Sequence, residues 1–145
     1  MRYFDTSYLV RLYLDDAGFA AVRALAAQGD IASCWHAQAE ILCALHRALR
    51  EARLNAEQYH AQLEQFRSDQ AGGAFHWLPL ADSLLTRLDS TLATAPASTF
   101  LRAADALHLA CAAENGFTEV YSNDRHFLDA APLFGLRGVN MIPAP

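Results

Sequence analysis

Apolar positions recur along this 145-residue chain in two rhythms. Short runs at residues 2–5, 31–34, 75–78, 119–122 and 138–142 are apolar or alternating and predict strands, the last closed by Pro143. Between them, apolar residues spaced by three and four predict helices. The first follows Thr6-Ser7, read as its N-cap, with Tyr8, Leu9, Leu12 and Tyr13 on one face. The next covers residues 18–28 and ends at Gly29, where a C-terminal glycine is expected. Residues 35–53 carry Ala37, Ile41, Ala44, Leu45, Ala48 and Leu49 at helical spacing, with Glu40 beside that face. Asn55 opens a helix through Phe66 whose face is Tyr59, Leu63 and Phe66, and Gly72-Gly73 stops it; another helix covers residues 81–92.

Residues 101–113 differ from the other helices. Alanine and leucine dominate, no Gly or Pro interrupts, and the apolar positions cover nearly the whole circumference, so this helix is expected to be buried on most sides. It nevertheless carries Asp105 and His108. A carboxylate so placed costs several kcal/mol unless donors, a cation or a metal compensate it, so a partner for Asp105 is expected elsewhere in the chain.

Short strands alternating with helices imply an α/β fold: three layers, α/β/α, around a short-stranded, mostly parallel sheet with right-handed crossovers. The loop-like run Ala95-Pro96-Ala97-Ser98 is too short for a domain linker, so residues 1–145 are expected to form a single domain. No run approaches the roughly 18 apolar residues of a membrane span, and Asp5, Asp15 and Asp16 interrupt what would be the apolar part of a signal peptide. Cys34, Cys43 and Cys111 lack paired spacing and read as reduced core residues of a cytoplasmic protein.

Composition narrows the chemistry. All eleven basic residues are Arg, and the missing lysine excludes Walker-type phosphate loops, Schiff-base enzymes and phospho-accepting receiver domains. A net charge of −5 argues against a protein that coats nucleic acid, though arginines gathered on one face can still hold a phosphate backbone.

Ligands of such sheets bind at the carboxyl ends of strands. Asp5 and Asp124 stand there, and Glu40 and Asp105 lie on helices. Four carboxylates in one small site repel one another unless divalent cations bring them together, and hard oxygen ligands suit Mg²⁺ or Mn²⁺. The chemistry that uses such a site is metal-assisted phosphodiester hydrolysis.

Four segments carry a resemblance: Tyr3-Phe4-Asp5-Thr6-Ser7; Ser33 with Glu40 on the next helix; Asp105-Ala106-Leu107-His108-Leu109-Ala110; and Ser122-Asn123-Asp124-Arg125-His126-Phe127. In order and separation they resemble the motifs of the PIN domain, over the whole chain, and most closely the VapC-type toxins of bacterial toxin–antitoxin pairs. The resemblance implies a PIN-like fold and Mg²⁺- or Mn²⁺-dependent RNA cleavage. It assigns Asp5, Glu40, Asp105 and Asp124 as metal-site acids, with Thr6 or Ser7 and Ser122 as supporting hydroxyls. It also implies an antitoxin partner.

Other residues have plainer readings. His36 and Glu40, at i and i+4, read as surface or supporting pairing before a metal pair. His108 reads as a hydrogen-bonded structural residue, Ser7 as a cap, and Trp35, Trp77 and the phenylalanines as core. Arg102, Arg125 and His126 flank the site, where either phosphate contact or plain solvation accounts for them. The apolar face of Tyr59, Leu63 and Phe66 predicts a homodimer. The sequence thus predicts a metal-dependent endoribonuclease acting on single-stranded RNA. The alternative is a non-catalytic PIN-like module that binds RNA or protein. DNA flap cleavage fits less well, because the chain lacks the insertions and basic arch that threading a strand requires.

Overall fold

The computed structural model of the chain describes residues 1–142. Five strands, β1 (Arg2–Phe4), β2 (Ile31–Cys34), β3 (Phe75–Leu78), β4 (Glu119–Tyr121) and β5 (Arg137–Val139), form one sheet in the order β3-β2-β1-β4-β5. Every pairing is parallel, so the expected mostly parallel sheet is wholly so. Seven helices among the described residues connect them: α1 (Thr6–Leu9), α2 (Phe19–Ala26), α3 (Ala37–Arg50), α4 (Ala56–Ala71), α5 (Asp82–Leu92), α6 (Ala103–Glu114) and α7 (Arg125–Ala130).

Side-chain alternation along β1 divides the core into two layers. Phe4 joins Tyr8, Val22, Ile41, Leu45 and Phe66 on the face covered by α1 to α4. Tyr3 joins Leu84, Leu109, Val120 and Phe127 on the face covered by α5 to α7. The chain runs outward from β1 through β2 to β3, then crosses to β4 and β5, so the strand order reverses between β1 and β4. That is where parallel sheets open a crevice at their carboxyl edge.

Several sequence expectations are corrected by particular contacts. β5 ends at Val139 rather than at residue 142, because the Asn140 side chain accepts the Ile142 N–H at 3.0 Å and turns the chain; Pro143 lies outside the described residues. α3 starts at Ala37, since Trp35 and His36 form the turn leaving β2, where Trp35 N–H donates to Leu78 O. It stops at Arg50, and Ala52 takes a left-handed conformation (φ 55°) usually left to glycine. α4 runs past Phe66 to Ala71, opened by an Asn55–Gln58 capping box and closed at Gly72. Its Tyr59–Leu63–Phe66 face packs on the first core layer within the protomer, so it does not supply the free surface on which a homodimer was predicted. Trp35 is 56% exposed and Phe100 55%, neither belonging to the core as expected. Cys34 and Cys111 are buried and free, whereas Cys43 is exposed.

Candidate metal centre

Asp5 leaves the end of β1 and caps α1: its Oδ1 accepts the Tyr8 N–H at 3.2 Å. The expected cap, Ser7, instead donates its hydroxyl to Asp5 Oδ1 at 2.7 Å, and Ser122, just past the neighbouring strand β4, donates to Oδ2 at 2.7 Å. These serines are themselves fixed by N–H donors, Asn123 N to Ser7 Oγ and Asp124 N to Ser122 Oγ, both at 2.9 Å. Both hydroxyl protons are therefore directed at the carboxylate, whose orientation is locked. Arg11, buried one turn on, adds a clamp by donating to Ser7 O. Burial pushes the Asp5 carboxyl above its ordinary value, and the field of His108 and the donors from Ser7, Ser122 and Tyr8 offset this only in part.

Asp124 caps α7 in the same manner, with Oδ1 accepting from His126 N and Phe127 N. Its Oδ2 is held by Arg102 Nη2 at 2.5 Å, and Arg102 Nε donates to Asp105 Oδ2 at 2.8 Å. One guanidinium thus bridges two of the four acids. Asp105 has the partner that its helix required, and that partner is a cation from its own N-cap position. Arg125, by contrast, is 89% exposed on its side chain, pairs with Asp129 and does not line the cleft.

Glu40 belongs to a different network. Its Oε2 accepts from Thr6 Oγ1 at 2.5 Å and lies 3.1 Å from His108 Nε2. His108 is oriented from behind by the Tyr3 hydroxyl, 2.9 Å from Nδ1, and that hydroxyl also accepts the Cys34 N–H. His108 is thus a hydrogen-bonded structural residue, as read from sequence, but one that bonds directly to a site acid. Burial would raise Glu40; the hydrogen bonds from His108 and Thr6 outweigh it and hold the carboxyl below its ordinary value.

Glu40, Asp105, Thr6, Ser7 and Arg102 line a cleft of ≈ 540 Å³ with Cys43 and Arg47. Among the described residues no three of the four acids bring ligand atoms within 4.8 Å of one another; His36, Glu40 and His108 do. Sequence reasoning missed Tyr3 and Arg11, which position site groups without entering the cleft. It also missed the bridging role of Arg102, which depends on the approach of α6 to α7.

The donor set fits a hard divalent cation. Asp5 presents carboxylate oxygens oriented by hydroxyls, and between Asp105 and Asp124 the positive charge that two acids demand is supplied by Arg102. Among the described residues no helix is long and apolar enough to cross a membrane. No curated protein is similar enough in sequence to match the chain. Solved structures share the fold, among them two toxin-system proteins. VapBC2 from Rickettsia felis, bound to a DNA fragment from its promoter, is 14% identical with a TM-score of 0.67, covering 97% of this chain and 98% of that one. VapC20 from Mycobacterium tuberculosis, a Sarcin-Ricin loop cleaving toxin, is 18% identical with a TM-score of 0.68, covering 94% and 99%. The family profile of the PIN domain matches residues 2–132, nearly the whole length, and the chain belongs to the PIN domain family.

Proposed function

We propose that this protein is a metal-dependent endoribonuclease that cleaves single-stranded RNA, working as one PIN-like unit over residues 1–145 in the cytoplasm. In this reading it is the toxin of a toxin–antitoxin pair, restrained by its antitoxin. The observation that supports the reading is the pair of adjacent parallel strand ends, β1 and β4, past which Asp5 and Asp124 stand, with Arg102 linking Asp124 to Asp105; Glu40 and Asp105 line the neighbouring cleft, whereas Asp5, 4% exposed, and Asp124 do not. A binding module has no use for acids gathered where RNA phosphates must approach.

Asp5, Glu40, Asp105 and Asp124 would hold Mg²⁺ or Mn²⁺, which when bound supplies Lewis-acid chemistry at the scissile phosphate. The chain's own residues do the rest. Ser7 and Ser122 fix Asp5, Thr6 and His108 fix Glu40, and both carboxylates thereby keep one orientation as substrate enters. Arg102, 59% exposed, would exchange its two acid partners for a phosphate of the incoming strand. A flexible single strand suits the cleft, since a duplex cannot bend into so small a space. For association, exposed Leu85, Leu92 and Phe100 supply the apolar surface that a homodimer or an antitoxin would cover.

The experiment is incubation of purified protein with end-labelled single-stranded RNA in Mn²⁺, Mg²⁺ or chelator, with induction of the gene in growing cells alongside. Cleavage that needs the metal, together with growth arrest, is expected. RNA binding with no cleavage in either metal would establish the non-catalytic module instead.

A further inference from the structure

His36, Glu40 and His108 form the tightest cluster of metal-ligating side chains among the described residues, and the oxygen-rich centre uses only Glu40 of the three. We propose that these three side chains bind a transition-metal ion of the zinc class, and that this ion inhibits the enzyme by withdrawing Glu40 from the Mg²⁺ or Mn²⁺ centre. The inhibitory half rests on the nuclease reading above; the binding half does not.

Geometry comes first. Glu40 Oε2 lies 3.1 Å from His108 Nε2 and 3.5 Å from His36 Nε2, and all three ligand atoms fall within 4.8 Å of one another. Ligands about 2.0–2.1 Å from a tetrahedral ion stand about 3.3 Å apart, so the triangle needs little adjustment to close on one. Two imidazoles with one carboxylate are a zinc-type donor set and a poor one for Mg²⁺.

His36 supplies a second observation. Both of its ring nitrogens are buried and neither makes a hydrogen bond of good geometry: the Cys34 thiol and the Ala104 backbone lie near the ring, and Nε2 approaches Glu40 without hydrogen-bond geometry. A buried imidazole left in this way costs free energy that a bound ion would return. His36 and Glu40 sit one turn apart on the same side of α3 and its leading turn, and the two imidazole rings meet with centroids 4.3 Å apart.

His108 carries the outer support that metal-binding histidines have. An ion at Nε2 requires the ring proton on Nδ1, which then donates to the Tyr3 oxygen 2.9 Å away, while the Tyr3 hydroxyl proton can turn to the neighbouring Cys111 sulfur. Binding displaces the hydrogen bonds that Glu40 now accepts from His108 and Thr6. The cleft beside Glu40 leaves room for water as a fourth ligand.

The test is titration of the full chain with Co²⁺ and Zn²⁺, using wild type, His36→Gln and Asp5→Asn. Wild type and Asp5→Asn are expected to show the intense visible absorption of four- or five-coordinate Co²⁺ at one equivalent, displaced by Zn²⁺. His36→Gln should lose the band, with Zn²⁺ affinity reduced by about tenfold or more. His36→Gln should also keep Mn²⁺-dependent cleavage yet resist micromolar-scale Zn²⁺ that stops the wild type. Zinc-edge X-ray absorption of the loaded wild type, which needs no variant, should show scattering from two imidazoles. Unchanged Zn²⁺ affinity in His36→Gln, or absorption without imidazole scattering, overturns the proposal. A Co²⁺ band in a protein that never cleaves RNA would sink the nuclease reading and leave the metal site standing.

Discussion

Replacing Arg102 by alanine should tighten divalent-metal binding while weakening RNA binding. Arg102 holds Asp105 at 2.8 Å and Asp124 at 2.5 Å, and a cation drawn to those acids must first displace it. Its side chain is 59% exposed, so each pair is worth the modest value of a solvent-screened bridge, about 0.2–1 kcal/mol. Two such pairs amount to about 0.4–2 kcal/mol, and removing that competition raises metal affinity by roughly twofold to thirtyfold. Asp105 and Asp124 are 14% and 25% exposed on their side chains, which favours the upper half of that range. Calorimetric titration with Mn²⁺, without RNA, reads the change directly. In chelator the variant should melt below wild type, because Asp105 and Asp124 then face each other uncompensated, and saturating Mn²⁺ should close the gap. RNA binding should weaken and lose part of its salt dependence, one phosphate contact being gone. Should Arg102→Ala bind Mn²⁺ more weakly than wild type, Arg102 is not a competitor at the acids and the centre is misplaced.

Asp5→Asn should be more stable than wild type in chelator. The folded Asp5 carboxyl is raised above its ordinary value, so its cost is absent below the unfolded value and grows as pH rises through the folded one. The stability advantage of the variant, followed as Tm against pH, should therefore widen upward from the carboxylate range; a variant less stable at every pH would refute the reading that burying the Asp5 charge is costly. Glu40, whose carboxyl is lowered, has the opposite sign: its contribution is present at neutral pH and lost as pH falls through its folded value, so Glu40→Gln should flatten the acid limb of the same curve. Tyr3→Phe removes the hydroxyl that orients His108 and caps the Cys34 N–H, and should cost about 1–3 kcal/mol in urea unfolding, the scale of leaving buried polar groups unpaired.

Much of this fold is legible locally. The strands at 31–34 and 75–78 are short apolar runs with turn signals on both sides, and the structure forms them with those bounds. The acids at the ends of β1 and β4 are legible too, since an acid just past a strand and before a helix is placed by chain order alone. What is not legible depends on tertiary approach. Nothing near Arg102 in sequence says that its guanidinium reaches Asp124, 22 positions away, because α6 must first dock beside α7. His36 gave no signal beyond its spacing to Glu40; its burial against His108, from the opposite core layer, appears only when α6 packs on β2 and meets the turn that follows that strand. The apolar face of α4 was visible, but whether it is spent inside the protomer or between protomers is a question of packing, and Phe66 answers it by burying against Tyr13.

The most direct measurement is the single-turnover rate of RNA cleavage at saturating Mn²⁺ for Asp5→Asn, Asp105→Asn and Asp124→Asn beside wild type. Each variant should cleave about a hundredfold more slowly or worse, the scale on which lost electrostatic stabilisation is felt, while binding the same RNA with unchanged or higher affinity. Cleavage by Asp105→Asn as fast as wild type would contradict the assignment of this centre as a nuclease site.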